Sequence, residues 1–216
     1  MSPLAQPLQI PYADIVATAT NPTGTINIDE LIQFLEEEWH ATYHDMSSHS
    51  PCVMKFSDQG FTFLYDQASA NTDDVDDRLV AAYGLSAPNN HTRDKSRMKG
   101  FLGGGIDIPG KGKFDKGHVL AHGMGGGLDV NLFPQCPELN RGISEAGKVY
   151  RRMEKFAADH PGAFVFSRLI YSDNSWVPSS LEYGVLMPHG ELWVEWFENK
   201  GQITGMQVTN DLRSFC

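Results

Sequence analysis

The stretch from Phe114 to Gly142 reads F-D-K-G-H-V-L-A-H-G-M-G-G-G-L-D-V-N-L-F-P-Q-C-P-E-L-N-R-G, and it constrains the fold more than any other part of the chain. Gly123, Gly125, Gly126 and Gly127 argue against a helix through its centre, because a glycine inside a helix costs about 1 kcal/mol relative to alanine. The segment reads instead as an apolar strand with His118 at its edge, just after a tight Lys-Gly step, followed by a polar glycine-rich loop. The same glycines weigh against His118 and His122 as an H-x3-H zinc pair on a helix, while a plain core histidine is the other alternative for His118. Asn131 and Asn140 then come nine residues apart. Asn140 sits where a helix running through Val149, Tyr150, Met153 and Phe156 can start, and asparagine is among the best helix caps.

Around this segment the periodicities are mixed. Met1 to Thr25 is rich in Pro, Thr and Ala without a clear period and reads as an extended or loosely packed arm. Asn27 followed by Glu30 caps a helix whose stripe Ile28, Leu31, Ile32, Leu35 and Trp39 runs to about His44. His40 and His44 share a helical face there, and with no cysteine or matching motif nearby they read as an exposed surface. Cys52 to Phe56 and Phe61 to Tyr65 flank Ser-Asp-Gln-Gly, a hairpin with a four-residue connection. A second helix is expected over Val75 to Tyr83, with Asp73, Asp74, Asp76 and Asp77 at its positive dipole end. Asn89 to Gly112 is basic and glycine-rich but lacks the Lys-Ser/Thr pair of a phosphate-cradling loop. Ala163 to Tyr171 reads as a strand, and Leu181 to Met187 with Glu191 to Phe197 as a second hairpin around Pro-His-Gly. Helices mixed with hairpins, rather than alternating with strands, give an α+β fold with an antiparallel sheet. Two regions are expected: an acidic one over residues 1–90 that packs on or decorates a second over 91–216.

The formal charge of -10 argues against a polyanionic partner, but its distribution does not. Residues 93 to 155 hold 12 of the 17 lysines and arginines against 7 acids, whereas residues 1 to 92 carry 2 cations against 13 acids. The cations therefore surround the 114–142 segment. No stretch approaches the roughly 20 apolar residues of a membrane span, and the first thirty residues lack the pattern of a signal peptide. The expected address is cytoplasmic, or export by a signal-independent secretion system. Cys52, Cys136 and Cys216 fit neither a disulfide framework nor a zinc spacing and read as free thiols.

Hydrolysis of a phosphodiester needs a base that deprotonates water, a cation that neutralises developing charge, and donors that hold the phosphate. A histidine suits the first role near neutral pH, and a carboxamide oxygen with solvent suits a magnesium ion. Asp115-Lys116-Gly117-His118, Asn131-Leu132-Phe133-Pro134-Gln135 and Asn140-Arg141-Gly142 together resemble the DNA/RNA non-specific endonucleases of the ββα-metal, or His-Me finger, class. The signature of that family is D-R-G-H, then N-x-x-P-Q with a second asparagine nine residues after the first. The resemblance covers about residues 93 to 200. It implies a general base at His118, a magnesium ligand at Asn140, an asparagine bracing the finger at Asn131, and support of the metal waters by Glu154. Arg152 is its candidate phosphate contact, and Lys116, Arg141 and Arg97 are further candidates to bind substrate. Lys116 stands where the family has arginine, which keeps the charge but loses the bidentate fork.

The expected activity is thus a magnesium-dependent endonuclease, with manganese as a substitute, acting on DNA, RNA or both with little sequence preference and leaving 5'-phosphate ends. Its alternative is a non-catalytic nucleic-acid or protein-binding module that keeps the finger shape. A nuclease must be kept from its host's genome, which is compatible with an exported antibacterial toxin held in check by an inhibitor, or immunity, protein. The acidic front region would either lower nonspecific affinity for nucleic acid or offer a basic partner such as that inhibitor a docking face.

Overall fold

The computed structural model describes residues 10–89, 106–108 and 110–200. In chain order the elements are α1 (Tyr12–Thr18), α2 (Ile28–Met46), β1 (Val53–Asp58), β2 (Phe61–Asp66), β3 (Arg78–Leu85), β4 (Ile106–Ile108), β5 (Gly112–His118) and β6 (Leu132–Gln135). There follow α3 (Pro137–Asn140), α4 (Glu145–Asp159), β7 (Phe164–Ile170), β8 (Ser180–Leu186) and β9 (Leu192–Glu198). The fold is α+β, as expected.

α2 starts at the expected cap, with the Asn27 side chain accepting a hydrogen bond from the Glu30 N–H at 3.3 Å. Its buried stripe is Leu31, Leu35, Trp39 and Tyr43. The expected extended arm is corrected from residue 10 onward. Ile10, Tyr12, Ile15 and Ala19 are core residues, and α1 is too short for its period to stand out in a Pro/Thr-rich sequence. The β1–β2 hairpin forms, but its connection is the two-residue turn Gln59-Gly60, with φ of 49° and 84°. Positive φ at both positions matches the right-handed twist of the flanking strands.

The helix expected over Val75 to Tyr83 is a strand instead. Residues 78–83 are all buried, and β3 lies between β2 and β7. Burial on both faces overrides the helical preference of Ala81 and Ala82. The acidic run before it is likewise not a helix start. Asp77 accepts from the Ser69 N–H at 2.8 Å and its hydroxyl at 3.0 Å, and Asp76 accepts from the Trp176 N–H at 3.1 Å.

The main sheet has six strands in the order β1-β2-β3-β7-β8-β9, every neighbouring pair antiparallel. The β3–β7 ladder hydrogen-bonds the first ninety residues to the rest, so residue 90 does not separate two structural units. The acidic front supplies half of the sheet rather than a decoration. One face carries α1 and α2, where Trp39 packs on Tyr83 and Phe166. Gly184 is required here, since a Cβ would lie 2.1 Å from the Phe166 ring. The other face carries the small sheet β4-β5-β6 with α3 and α4, and Tyr150 of α4 meets Tyr183 and Phe197 edge-on. Cys136 is buried and Cys52 half-buried, both as free thiols; Cys216 lies outside the described residues. No helix among the described residues is long and apolar enough to cross a membrane.

Candidate active site

β5 pairs with β6 through Asp115↔Gln135, Gly117↔Phe133 and His118↔Leu132, which sets His118 at the end of the strand. Gly117 is dictated by packing: a Cβ there would lie 2.1 Å from the Gln135 amide oxygen. His118 is half-buried, with its Nε2 beneath the solvent surface. Its carbonyl accepts a hydrogen bond from the Tyr150 hydroxyl at 3.3 Å, which ties the strand end to α4.

The glycine-rich loop then folds back on itself. A Cβ on Gly126 would lie 2.0 Å from the Leu120 carbonyl, so only glycine allows this approach. Asn131 is the internal strut. Its buried amide donates to the carbonyls of Leu120 at 2.8 Å and Gly127 at 2.9 Å, and accepts from the Leu120 N–H at 2.9 Å. His122 occupies a 3-10 turn, its ring 6.2 Å from that of His118, and its Nδ1 lies 3.3 Å from the Gly126 carbonyl.

Asn140 is not a helix cap. It is the last residue of α3, and α4 is capped by Ser144, whose hydroxyl accepts from the Gly147 N–H at 3.0 Å. Four residues separate the two helices, which pack so closely that a Cβ on Gly147 would meet the Glu138 carbonyl at 2.3 Å. The Asn140 amide nitrogen donates to Asp115 at 3.0 Å. Arg141 grips the same carboxylate with two bonds, Nε to Oδ2 at 2.7 Å and Nη2 to Oδ1 at 2.6 Å. This guanidinium, with the Asn140 amide, holds the Asp115 carboxyl below its usual range against a partial desolvation that acts the other way. Strand alternation sets Asp115 and Gly117 on one face of β5, and Lys116 with His118 on the other. Three residues, about 10 Å of strand, separate Asp115 from His118 at the strand's end.

On α4, the face formed by Gly147, Tyr150, Arg151 and Glu154 looks toward α3 and β5. Arg151 lies against the Gly142 turn, where a Cβ would come within 3.0 Å of its Cγ, and donates to Glu154 at 2.7 Å. The Glu154 side chain is 9% exposed and that of Arg151 57%. Arg152 is two residues beyond Tyr150, on the opposite side of the helix, and its guanidinium stands 5.4 Å above the Trp193 ring. Arg97 lies outside the described residues. The structure thus brings Asn140, Arg141, Asp115, Arg151 and Glu154 to one side of α4 and sends Arg152 to another.

Asp115 and Arg151 carry interactions that the sequence reading did not assign. Arg151 was legible as the i,i+3 partner of Glu154; the Asp115–Asn140 bond, across 25 residues, was not. Among the described residues no three His, Cys, Asp or Glu side chains converge as a metal cage. The donors that remain, one amide oxygen and one carboxylate, suit a hard cation that keeps most of its waters rather than zinc.

No protein-family model matches the chain, and no curated relative does. Among solved structures it is similar to an extracellular endonuclease at 15% identity and a TM-score of 0.36, over 76% of this chain and 85% of that one. It is also similar to an extracellular nuclease at 16% identity and a TM-score of 0.37, over 72% of this chain and 91% of the other.

Proposed function

We propose that the chain is a metal-dependent endonuclease that hydrolyses phosphodiester bonds of DNA, RNA or both, with His118 as general base and Asn140 as the ligand of a magnesium or manganese ion. The observation that carries this reading is the state of the Asn140 amide. Its NH2 end is bound by Asp115, and its oxygen accepts no hydrogen bond among the described residues. Asn140 ends α3, which packs on β5, the strand that ends in His118. The buried Asn131, by contrast, spends both ends of its amide.

A hydrated divalent cation, when bound there, neutralises charge building up on the phosphate. Asn140 would hold it through the amide oxygen, and Glu154, anchored by Arg151, would accept hydrogen bonds from its waters. His118 takes the proton of the attacking water. Lys116 and Arg151, together with the cations of residues 93 to 155, draw the polyanion to a chain that is acidic elsewhere.

The test is incubation of the purified protein with plasmid and with total RNA, with magnesium and with excess chelator. Magnesium-dependent fragmentation of at least one substrate is expected. Cleavage that survives chelation overturns the metal role; intact plasmid and RNA in magnesium and in manganese overturn the enzyme reading in favour of a binding module.

A further inference from the structure

Arg141 looks in the sequence like a free cation beside the proposed metal ligand, ready to take a phosphate. Its geometry says otherwise. Both oxygens of Asp115 are engaged by the guanidinium fork, at 2.6 and 2.7 Å, and one of them also accepts the Asn140 amide at 3.0 Å. A carboxylate in this state only accepts, so it binds the NH2 end of the amide and turns the oxygen end away. The two parallel bonds of the fork, in turn, leave the carboxylate a single orientation.

We infer that Arg141 and Asp115 form a positioning relay that aims the amide oxygen of Asn140 at the divalent cation, and that Arg141 is not a contact to nucleic-acid phosphates. The inference rests on the nuclease reading above and deepens it. Ligand-orienting partners of this kind typically tune metal affinity by about 10- to 100-fold. A phosphate contact would show itself differently, in the salt dependence of nucleic-acid binding.

The experiment compares the full chain with Asp115→Asn and Arg141→Ala. Manganese binding is measured by calorimetry without nucleic acid, plasmid cleavage is followed across a magnesium titration, and plasmid binding across a salt titration. Both variants are expected to bind manganese about 10- to 100-fold more weakly. Their cleavage should approach the wild-type rate at saturating magnesium, with the salt slope of plasmid binding unchanged. Wild-type manganese affinity in Arg141→Ala, together with a salt slope reduced by about one, would make Arg141 a phosphate contact and overturn the relay. The Arg141 side chain is 60% exposed, so its alanine variant keeps the fold and decides the question even if Asp115→Asn unfolds. A wild type that binds no manganese and cuts no plasmid brings down the nuclease reading and the relay together. A wild type that binds and cuts, beside variants of unchanged affinity, brings down the relay alone.

Discussion

Two polar clusters, one in the acidic front half and one between β5 and α3, are each centred on an aspartate with an arginine in the set, and they differ in what they leave open. In the front half, Asp66 is fully buried and accepts from the Tyr43 hydroxyl and the Cys52 N–H, both at 2.7 Å, while His49 Nε2 lies 2.6 Å away. Arg78 closes the set by donating to Tyr43 and to the Asp173 carbonyl, each at 2.7 Å. Burial pushes the Tyr43 phenol well up, with the hydrogen bond from Arg78 opposing and that to Asp66 adding. On the finger, the Asp115 side chain is 15% exposed and its partner Arg141 60%. The first network is closed to water, whereas the second keeps one face open to it. Residue type alone therefore does not separate a closed Asp-Arg set from an open one.

That contrast predicts a hierarchy of effects. The largest comes from deleting residues 1–90, which removes three of the six strands and bares the edge of β7. The remainder is expected to lose its cooperative unfolding transition by circular dichroism, and a folded, active fragment would show that the front half is dispensable. Next is Asp66→Ala, which removes the buried carboxylate shared by the Tyr43 hydroxyl, the Cys52 N–H and His49 and should cost roughly 3–5 kcal/mol in urea unfolding. A loss below about 1 kcal/mol, the range of surface pairs, would erase the distinction between the clusters.

His118→Ala tests the opposite side. Plasmid cleavage should fall by about 10²-fold or more with the melting temperature nearly unchanged. Retained activity removes His118 from the base role, and a large drop in stability would class it with the closed network instead.

Alkaline pH offers a further discrimination. Burial raises Tyr12, Tyr150, Tyr171 and Tyr183 well above the ordinary tyrosine value and pushes Tyr83 to about 12. Groups raised in the folded state contribute stability that is complete below their unfolded pKa, about 10, and is lost as pH climbs through the folded values. Unfolding free energy should therefore fall above about pH 10 as the core tyrosines come under pressure to ionise. A flat stability profile across that window would show that these phenols are less enclosed than their packing implies. The smallest effect is expected for Arg152→Ala, about 0.5–1 kcal/mol from the contact with Trp193. Cleavage in this variant should fall less than in Arg151→Ala; the reverse order would return the phosphate role to Arg152.

Much of this was legible before any coordinates. The cap at Asn27, the β1–β2 and β8–β9 hairpins and the β7 strand follow from short-range rules, because capping bonds and strand alternation act over a few residues. The glycines at 117 and 126 were visible, though not their reason, which is the approach of Gln135 and of the Leu120 carbonyl. α1 and β3 were misread for one cause. Both are decided by what covers them, Ile10 and Tyr12 by the sheet and Arg78 to Tyr83 by two neighbouring strands, and coverage is not a local property.

By itself, the sequence determined the α+β class, the concentration of cations over residues 93 to 155 and the residues from which a hydrolytic site can be drawn. Tertiary structure decided that the acidic front half is part of the same sheet, that Asn140 ends one helix instead of starting another, and that Arg141 points at Asp115. The first and the last are pairings across 25 residues or more, and the free energy that selects them comes from burial and from hydrogen bonds between segments that only the folded chain brings together.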